Sequence, residues 1–277
     1  MLHVRRTAAR AKRAVVSHGQ SAGAATLDLF RRGERTVIMC PPAGLRLGNF
    51  LYLWLRAHLR SASGSPTVVR RSRTMAPWLE LLPEMGSLTE ADDDIRFRDR
   101  REWDNTFLFQ RFGTDFTRED LVAFVEDTLA PHILPDRSGT LVVNIRRGDY
   151  YTEFREKYAF DQVGYVREAL TRFARVERIR VVSDDAEWCR THLDPIVRAA
   201  ASHITYDEPD AWANFVAVAG ASRIIGTNST FSYWAAYVAD GIHSDAQIVM
   251  PRFHARAPHP ISAHQLDPRW TAIDGFD

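Results

Sequence analysis

The strongest chemical signal in the chain is Arg146-Arg147-Gly148-Asp149, which breaks off from the apolar run Leu141-Val142-Val143-Asn144-Ile145. Five residues of that character, ended by a turn signal, read as a central parallel strand. In open α/β sheets a ligand sits in the crevice beyond the carboxyl ends of such strands. A guanidinium brought there needs a partner, since a buried charge is costly unless paired. One arginine can pair with Asp149, leaving the other to hold an anion; the planar fork suits phosphate because it binds two oxygens at once. Taken alone, the stretch reads equally well as a strand-end arginine pair neutralised by a local carboxylate, with no ligand.

Other stretches carry weaker signals. Ala43-Gly44-Leu45-Arg46-Leu47-Gly48-Asn49-Phe50 runs from a strand into an amphipathic helix. Glycines there let a backbone approach a ligand, and the helix start offers free N–H groups. The spacing is not the dinucleotide pattern, so a plain strand-to-helix turn is its simplest reading. Asn228-Ser229-Thr230 reads as a helix cap or a glycosylation acceptor. Asp92-Asp93-Asp94 contains a pattern that holds a divalent metal elsewhere, but no apolar strand precedes it, so a solvated acidic loop is expected. Arg147-Gly148-Asp149 spells an adhesion tripeptide, which needs an exposed loop tip and not an exit from a buried strand. The chain has no GxxxxGK[ST] loop, which argues against phosphoryl transfer.

The elements that must position these residues alternate. Strands are expected at 36–41, 66–70, 141–145, 179–183, 204–206, 223–227 and 247–250. Helices are expected from Gly48 through Leu59, at 75–82, 119–129, 211–219 and from Thr230 through Tyr237, with a helical stripe formed by Val163, Val166, Leu170 and Phe173. Strands alternating with helices imply βαβ units on parallel sheets. Residues 87–104 are polar and read as irregular. Pro131 to Gly139 reads as a linker. The expected organisation is a basic segment at 1–35, an α/β domain at 36–135 and a second α/β domain at 140–277.

Composition sets the outer limits. The 277 residues carry a net charge of +1, with 45% hydrophobic and 26% charged residues, as in ordinary globular domains. So even a balance argues against a general nucleic-acid binder. Cys40 and Cys189 give no disulfide framework and no zinc spacing, so both read as reduced and buried, and a cytoplasmic protein is expected. No run approaches the ~20 apolar residues that span a bilayer. The Ala/Arg-rich start carries Arg5, Arg6, Arg10, Lys12 and Arg13 with no acid before Asp28. It reads first as a solvated terminus, and otherwise as a peripheral membrane contact or a transit-type segment.

Three stretches in order resemble the alpha-1,2-fucosyltransferases: Arg46-Leu47-Gly48-Asn49 before a helix, Asn144 to Tyr150, and Asn228-Ser229-Thr230-Phe231-Ser232-Tyr233-Trp234-Ala235-Ala236-Tyr237. The resemblance runs from about Val37 to Ile273 and is weakest between Ser61 and Arg137. It implies a GT-B-like α/β fold of two Rossmann-type domains with mainly parallel sheets, the second holding the nucleotide-sugar. It also implies inverting transfer of fucose from GDP-fucose to a galactose-type hydroxyl of a glycan, with no metal and no cofactor. In that reading Arg146 stabilises the leaving diphosphate, a task for which a preorganised donor is typically worth ~10²–10³ in rate. Arg147 pairs with acids and sets the turn. Asn144, Arg147, Asp149, Asn214, Thr230, Phe231 and Ser232 complete the donor site, while Gly44, Gly48 and Asn49 come from the first domain.

The chain departs from that family at three places. His is expected at Asn144 and Asp at Asn214, two side chains that read the guanine edge in related enzymes. A carboxylate accepts two N–H donors, whereas an amide offers one carbonyl beside its own donor. Phe50 stands where Gln is usual. For the general base, Glu153 just past the arginine turn is the first choice, ahead of Glu156 and Asp149. The alternatives are a transferase of the same fold with another nucleotide-sugar donor, and a non-catalytic glycan- or nucleotide-binding relative.

Overall fold

The computed structural model describes residues 36–103, 110–256 and 261–276; the basic segment 1–35 lies outside them. The chain divides into two compact units, residues 1–108 and 109–277. The first is built on a four-stranded sheet ordered β3-β2-β1-β4, with β1 at Val37–Met39, β2 at Thr67–Arg70, β3 at Thr89–Glu90 and β4 at Arg100–Glu102. All its pairings are parallel. Helix α1 (Leu47–Ala62) is buried on every side from Phe50 to Leu55, where its residues are all apolar or aromatic, and its polar positions Arg56, His58 and Arg60 are half-buried further along. It is followed by the short α2 (Ala76–Leu81).

Strands β3 and β4 fall in the stretch expected to be irregular. Neither carries an apolar run, so their sequences hold no strand signal. They form because α1 pins them: Trp54 Nε1 donates to Thr89 Oγ1 at 2.9 Å, and Arg60 pairs with Glu102 at 2.5 Å.

The second unit holds a six-stranded, all-parallel sheet ordered β12-β9-β8-β5-β6-β7. Its strands are β5 (Asp136–Ile145), β6 (Arg178–Ser183), β7 (His203–Tyr206), β8 (Ala221–Ile225), β9 (Gln247–Pro251) and β12 (Thr271–Ile273), while β10 (Phe253–Ala255) and β11 (Ile261–Ser262) form a small antiparallel pair. Read from β7, the order is the 3-2-1-4-5-6 of a doubly wound nucleotide-binding sheet, and its switch point lies between β5 and β8. The expected α/β class with parallel sheets in both halves is what is found.

The helices of this unit are α3 (Arg118–Thr128), α4 (Gly148–Tyr151), α5 (Arg155–Tyr158), α6 (Gln162–Leu170), α7 (Ala186–His192), α8 (Asp194–Ala200), α9 (Ala211–Ala219) and α10 (Thr230–Ile242). On one side of the sheet Leu141, Val143 and Ile145 share a core with Val166, Leu170, Ile179, Val181, Ile225 and Val249. Tyr165 is fully buried, and its hydroxyl donates to the Gly226 carbonyl at 2.8 Å, with the Val249 carbonyl at 3.2 Å.

Two boundaries differ from expectation. Helix α3, assigned by sequence to a first domain ending at 135, packs on α10: Phe124 meets Trp234 edge-on at 5.8 Å, and Leu121, Phe124 and Val125 are buried. The apolar stripe of α3 is therefore covered within the second unit. The supposed linker is also structured from Asp136 onward, because β5 begins there and pairs Asp136 with Ala221 before its register shifts. Asp136 holds the Ser138 N–H at 2.7 Å and the Ser138 hydroxyl at 2.9 Å, a local bend that looks like linker chemistry in the sequence.

Candidate active site

The backbone of Arg146, just beyond β5, is held by two side chains, one of them past the carboxyl end of β8. Arg146 N–H donates to Thr227 Oγ1 at 3.2 Å, and its carbonyl accepts from Gln162 Nε2 at 2.9 Å. Its guanidinium is thus delivered to the switch point by a strand that is buried from Leu141 to Ile145. There Nη1 donates to Asp184 Oδ2 at 2.5 Å and Nη2 to Asp149 Oδ1. The side chain is 19% exposed and its two carboxylate partners 28% each, so the cluster opens to solvent.

Arg147 departs from its expected role. Arg146, not Arg147, makes the acid pairs. Arg147 lies with its guanidinium carbon 3.6 Å from the Tyr151 ring centroid and 3.8 Å from that of Trp188, and burial pulls its pKa below the ordinary arginine value. Its N–H donates to Asp184 Oδ1 at 2.7 Å. Stacking on aromatic faces suits the weakly hydrated guanidinium. Arg147 does set the turn, through aromatic packing and its backbone.

Asp184 is the residue that sequence reasoning missed. Either aspartate of the pair Asp184-Asp185 is a residue type that caps helices, and only Asp185 does that work for α7, accepting from Trp188 N–H at 3.1 Å. Asp184 instead receives both Arg146 and the Arg147 backbone. The available signal was its place at the carboxyl end of β6, one strand from β5. Gly148 makes room for it: a Cβ there would lie 2.5 Å from Asp184 Oδ2, at a φ of +25°.

On the β8 side, Ser229 caps α10 by accepting from the Phe231 N–H at 3.2 Å. Ser232, expected to face phosphate, is fully buried and donates to Asn144 Oδ1 at 2.6 Å, while Asn144 Nδ2 donates to the Val182 carbonyl at 3.2 Å. These two side chains form an internal strut joining β5, β6 and α10. Thr230 and the Phe231 ring remain partly exposed at the helix start. Asn214 Nδ2 approaches the Ser183 carbonyl at 3.4 Å, and its buried Oδ1 has no hydrogen-bond partner among the described residues. Asn228 is fully buried, which excludes the glycosylation reading, and its Nδ2 donates to the carbonyls of Tyr158 and His254 at 2.9 and 3.0 Å.

The remaining candidates are placed as follows. Glu153 and Glu156 are exposed, whereas Asp149 is engaged by Arg146. Gly48 and Asn49 occupy the first turn of α1, beyond β1, and Gly44 turns the chain before them at a φ of +85°. Phe50 is fully buried against Trp54 at 5.9 Å, so its departure from the family pattern belongs to the core of the first unit. Asp92 is held by Arg70 at 2.6 and 2.7 Å, and among the described residues no group of three His, Cys, Asp or Glu side chains could hold a metal. Cys40 and Cys189 are buried, and burial pushes both thiols up to about 11. Among the described residues no helix is long and apolar enough to cross a membrane.

Galactoside alpha-(1,2)-fucosyltransferase 1 of Saimiri sciureus is 30% identical over 148 residues, 48% of this chain and 39% of that protein. The same enzyme of Leontocebus fuscicollis is 34% identical over 148 residues, 48% of this chain and 40% of that protein. The chain therefore spans about two fifths of the length of these curated relatives. Among solved structures, E. coli heptosyltransferase WaaC with ADP aligns over 87% of this chain and 93% of that one, at 10% identity and a TM-score of 0.44. The family model described as glycosyl transferase family 11 matches residues 105–265, more than half of the 277, and takes in the whole arginine cluster and the start of α10. The chain belongs to glycosyl transferase family 11.

Proposed function

We propose that this protein is an inverting, metal-independent glycosyltransferase that moves fucose from GDP-fucose to a galactose-type hydroxyl of a glycan. The observation that carries the reading is Arg146 at the switch point of a parallel sheet, preorganised by Asp149 and Asp184. A guanidinium has five N–H donors, so one aimed by two carboxylates keeps others for phosphate oxygens. As the bond from sugar to diphosphate breaks, negative charge grows on the leaving oxygen, and a fixed cation stabilises that state without reorganising. Thr230 and the open first turn of α10 stand across the switch point and suit the same anion. Glu153, exposed and eight residues beyond β5, is the proposed base for the acceptor hydroxyl. Gly44, Gly48 and Asn49 are the proposed contribution of the first unit, and the basic segment 1–35 is a candidate membrane-surface contact.

The test is calorimetric titration of GDP, UDP and ADP into the wild type and Arg146→Ala, followed by transfer assays with and without EDTA. GDP is expected to bind, and to bind more weakly to the variant; equally negligible binding of all three nucleotides would remove the reading. A second reading, another nucleotide-sugar donor, is favoured by the amides. Asn144 is engaged by Ser232 and Val182, and Asn214 retains one acceptor where a carboxylate would offer two. Mass-spectrometric screening of nucleotide-sugars separates the two. Binding without transfer or donor hydrolysis would instead indicate a non-catalytic relative.

A further inference from the structure

Few large apolar side chains of the described residues stand in solvent, and Phe154, 41% exposed, is one of them, with Phe97 and Leu134. Its position distinguishes it. It sits in the loop that follows the Arg146–Asp149 turn, among the exposed polar residues Thr152, Glu153, Arg155 and Glu156. The loop is held in place: Phe154 N–H donates to the Asp149 carbonyl at 2.8 Å, and the Phe154 carbonyl accepts from Lys157 and Tyr158 N–H at 2.9 and 3.0 Å. Tyr151 braces it from the other side, its hydroxyl donating to the Phe160 carbonyl at 2.8 Å and accepting from Phe160 N–H at 3.2 Å.

A row of rings connects this residue to the arginine. The Arg146 guanidinium carbon lies 5.4 Å from the Tyr150 ring, Tyr150 stacks on Tyr158 at 4.2 Å and 14°, and Phe154 stands edge-on to Tyr158 at 6.4 Å and 78°. A single half-exposed ring is ordinary on a protein surface; what marks Phe154 is its braced loop and the row of rings that leads from it to Arg146. Hexopyranoses of the galactose type present a continuous patch of C–H groups on one face and hydroxyls at the rim. An aromatic ring with Glu153 and Glu156 close by in the chain matches both features, the ring taking the C–H face and the carboxylates accepting from the hydroxyls.

We propose that Phe154 is the platform on which the acceptor sugar lies, a specificity-determining residue that sets the acceptor hydroxyl beside Glu153. The proposal rests on the glycosyl-transfer reading above. Its test uses GDP-fucose as donor and methyl β-D-galactopyranoside as acceptor, with the full-length wild type, Phe154→Ala and Phe154→Trp. The alanine variant is expected to raise the acceptor KM about tenfold while the donor KM stays within about twofold, and tryptophan is expected to restore the acceptor KM. Saturation-transfer NMR of the same galactoside, with GDP present, is expected to show its ring protons saturated by the wild type and much less by the alanine variant. An unchanged acceptor KM, an equal rise in both KM values, or no saturation on the wild type overturns the platform. A wild type that binds no nucleotide overturns the transferase reading itself, and the platform with it.

Discussion

At the scale of single residues, the arrangement around Arg146 depends on geometry as much as on charge. Two carboxylates oppose one guanidinium, so under the proposed reading a diphosphate would meet a cation that is aimed but partly neutralised. Replacement by alanine is expected to lower the rate of sugar transfer by ~10²–10³, as loss of a preorganised donor does elsewhere. Lysine is expected to recover little, because an ammonium has no planar fork with which to span Asp149, Asp184 and a phosphate together. Single-turnover kinetics of both variants checks this, and near-complete rescue by lysine would mean that charge alone matters. Ser232 gives the opposite case. Its hydroxyl is engaged by Asn144 in a buried site, so Ser232→Ala is expected to cost about 1–3 kcal/mol in urea unfolding by leaving Asn144 Oδ1 without its donor, while nucleotide affinity holds. A large loss of affinity at unchanged stability would return that hydroxyl to the phosphate.

At the scale of elements, the turn from β5 into α4 works because nothing projects from Gly148. A methyl group there would displace Asp184, and with it one side of the clamp on Arg146 and the acceptor for Arg147 N–H. Gly148→Ala is expected to lose about 1 kcal/mol or more of stability and to lose activity out of proportion to that. Thermal melts beside nucleotide titration measure the two losses separately; a variant that is less stable yet fully active would show that Asp184 does not position the arginine. The neighbouring elements are joined by their ends. Thr227 after β8 receives Arg146 N–H, Tyr165 on α6 bonds Gly226 just past β8 and Val249 of β9, and Asn228 joins the last residue of α5 to β10. Such cross-links at one edge make a parallel sheet a stable mount for a ligand.

At the scale of the molecule, the two ends of the second sheet are chemically different. Beyond the amino ends of β5, β8 and β9 lies a cleft of about 750 Å³ lined by Arg137, Arg172 and Arg223. Arg223 donates to the carbonyls of Gly139 and Ala174 at 3.3 and 2.9 Å, and cations suit an end where helices α6 and α10 finish. At the carboxyl end, His254 is sealed beside Tyr233, its ring nitrogen 3.1 Å from the phenol oxygen. Burial, aided by Lys157 and His264, pushes its pKa down from 6.5 to about 4. The unfolded chain therefore takes up this proton as pH falls below about 6.5, and the folded chain does not until about 4. Stability is complete above that window and is expected to fall through it, by at most on the order of 3 kcal/mol from this group. Urea midpoints from pH 7 to 4.5 for the wild type and His254→Gln give the measurement, with a flatter profile expected for the variant. Parallel profiles would mean that other groups govern the acid limb.

What the sequence determined by itself is the part that depends on local pattern. The buried run into Arg146, the helix cap at Ser229, and the alternation of strands and helices follow from hydrophobic period and turn chemistry, which act between near neighbours. The tertiary structure alone decided the assignments that depend on residues far apart in the chain. It brought Asp184 to Arg146 across 38 positions and Ser232 to Asn144 across 88, and it placed Arg147 between aromatic neighbours where an acid was expected. It also made strands of Thr89–Glu90 and Arg100–Glu102, whose residues have no apolar pattern and are held by a ladder and by α1. Periodicity reports which face of an element is buried; it carries no record of which distant charge or hydroxyl will meet that element once the sheet is assembled.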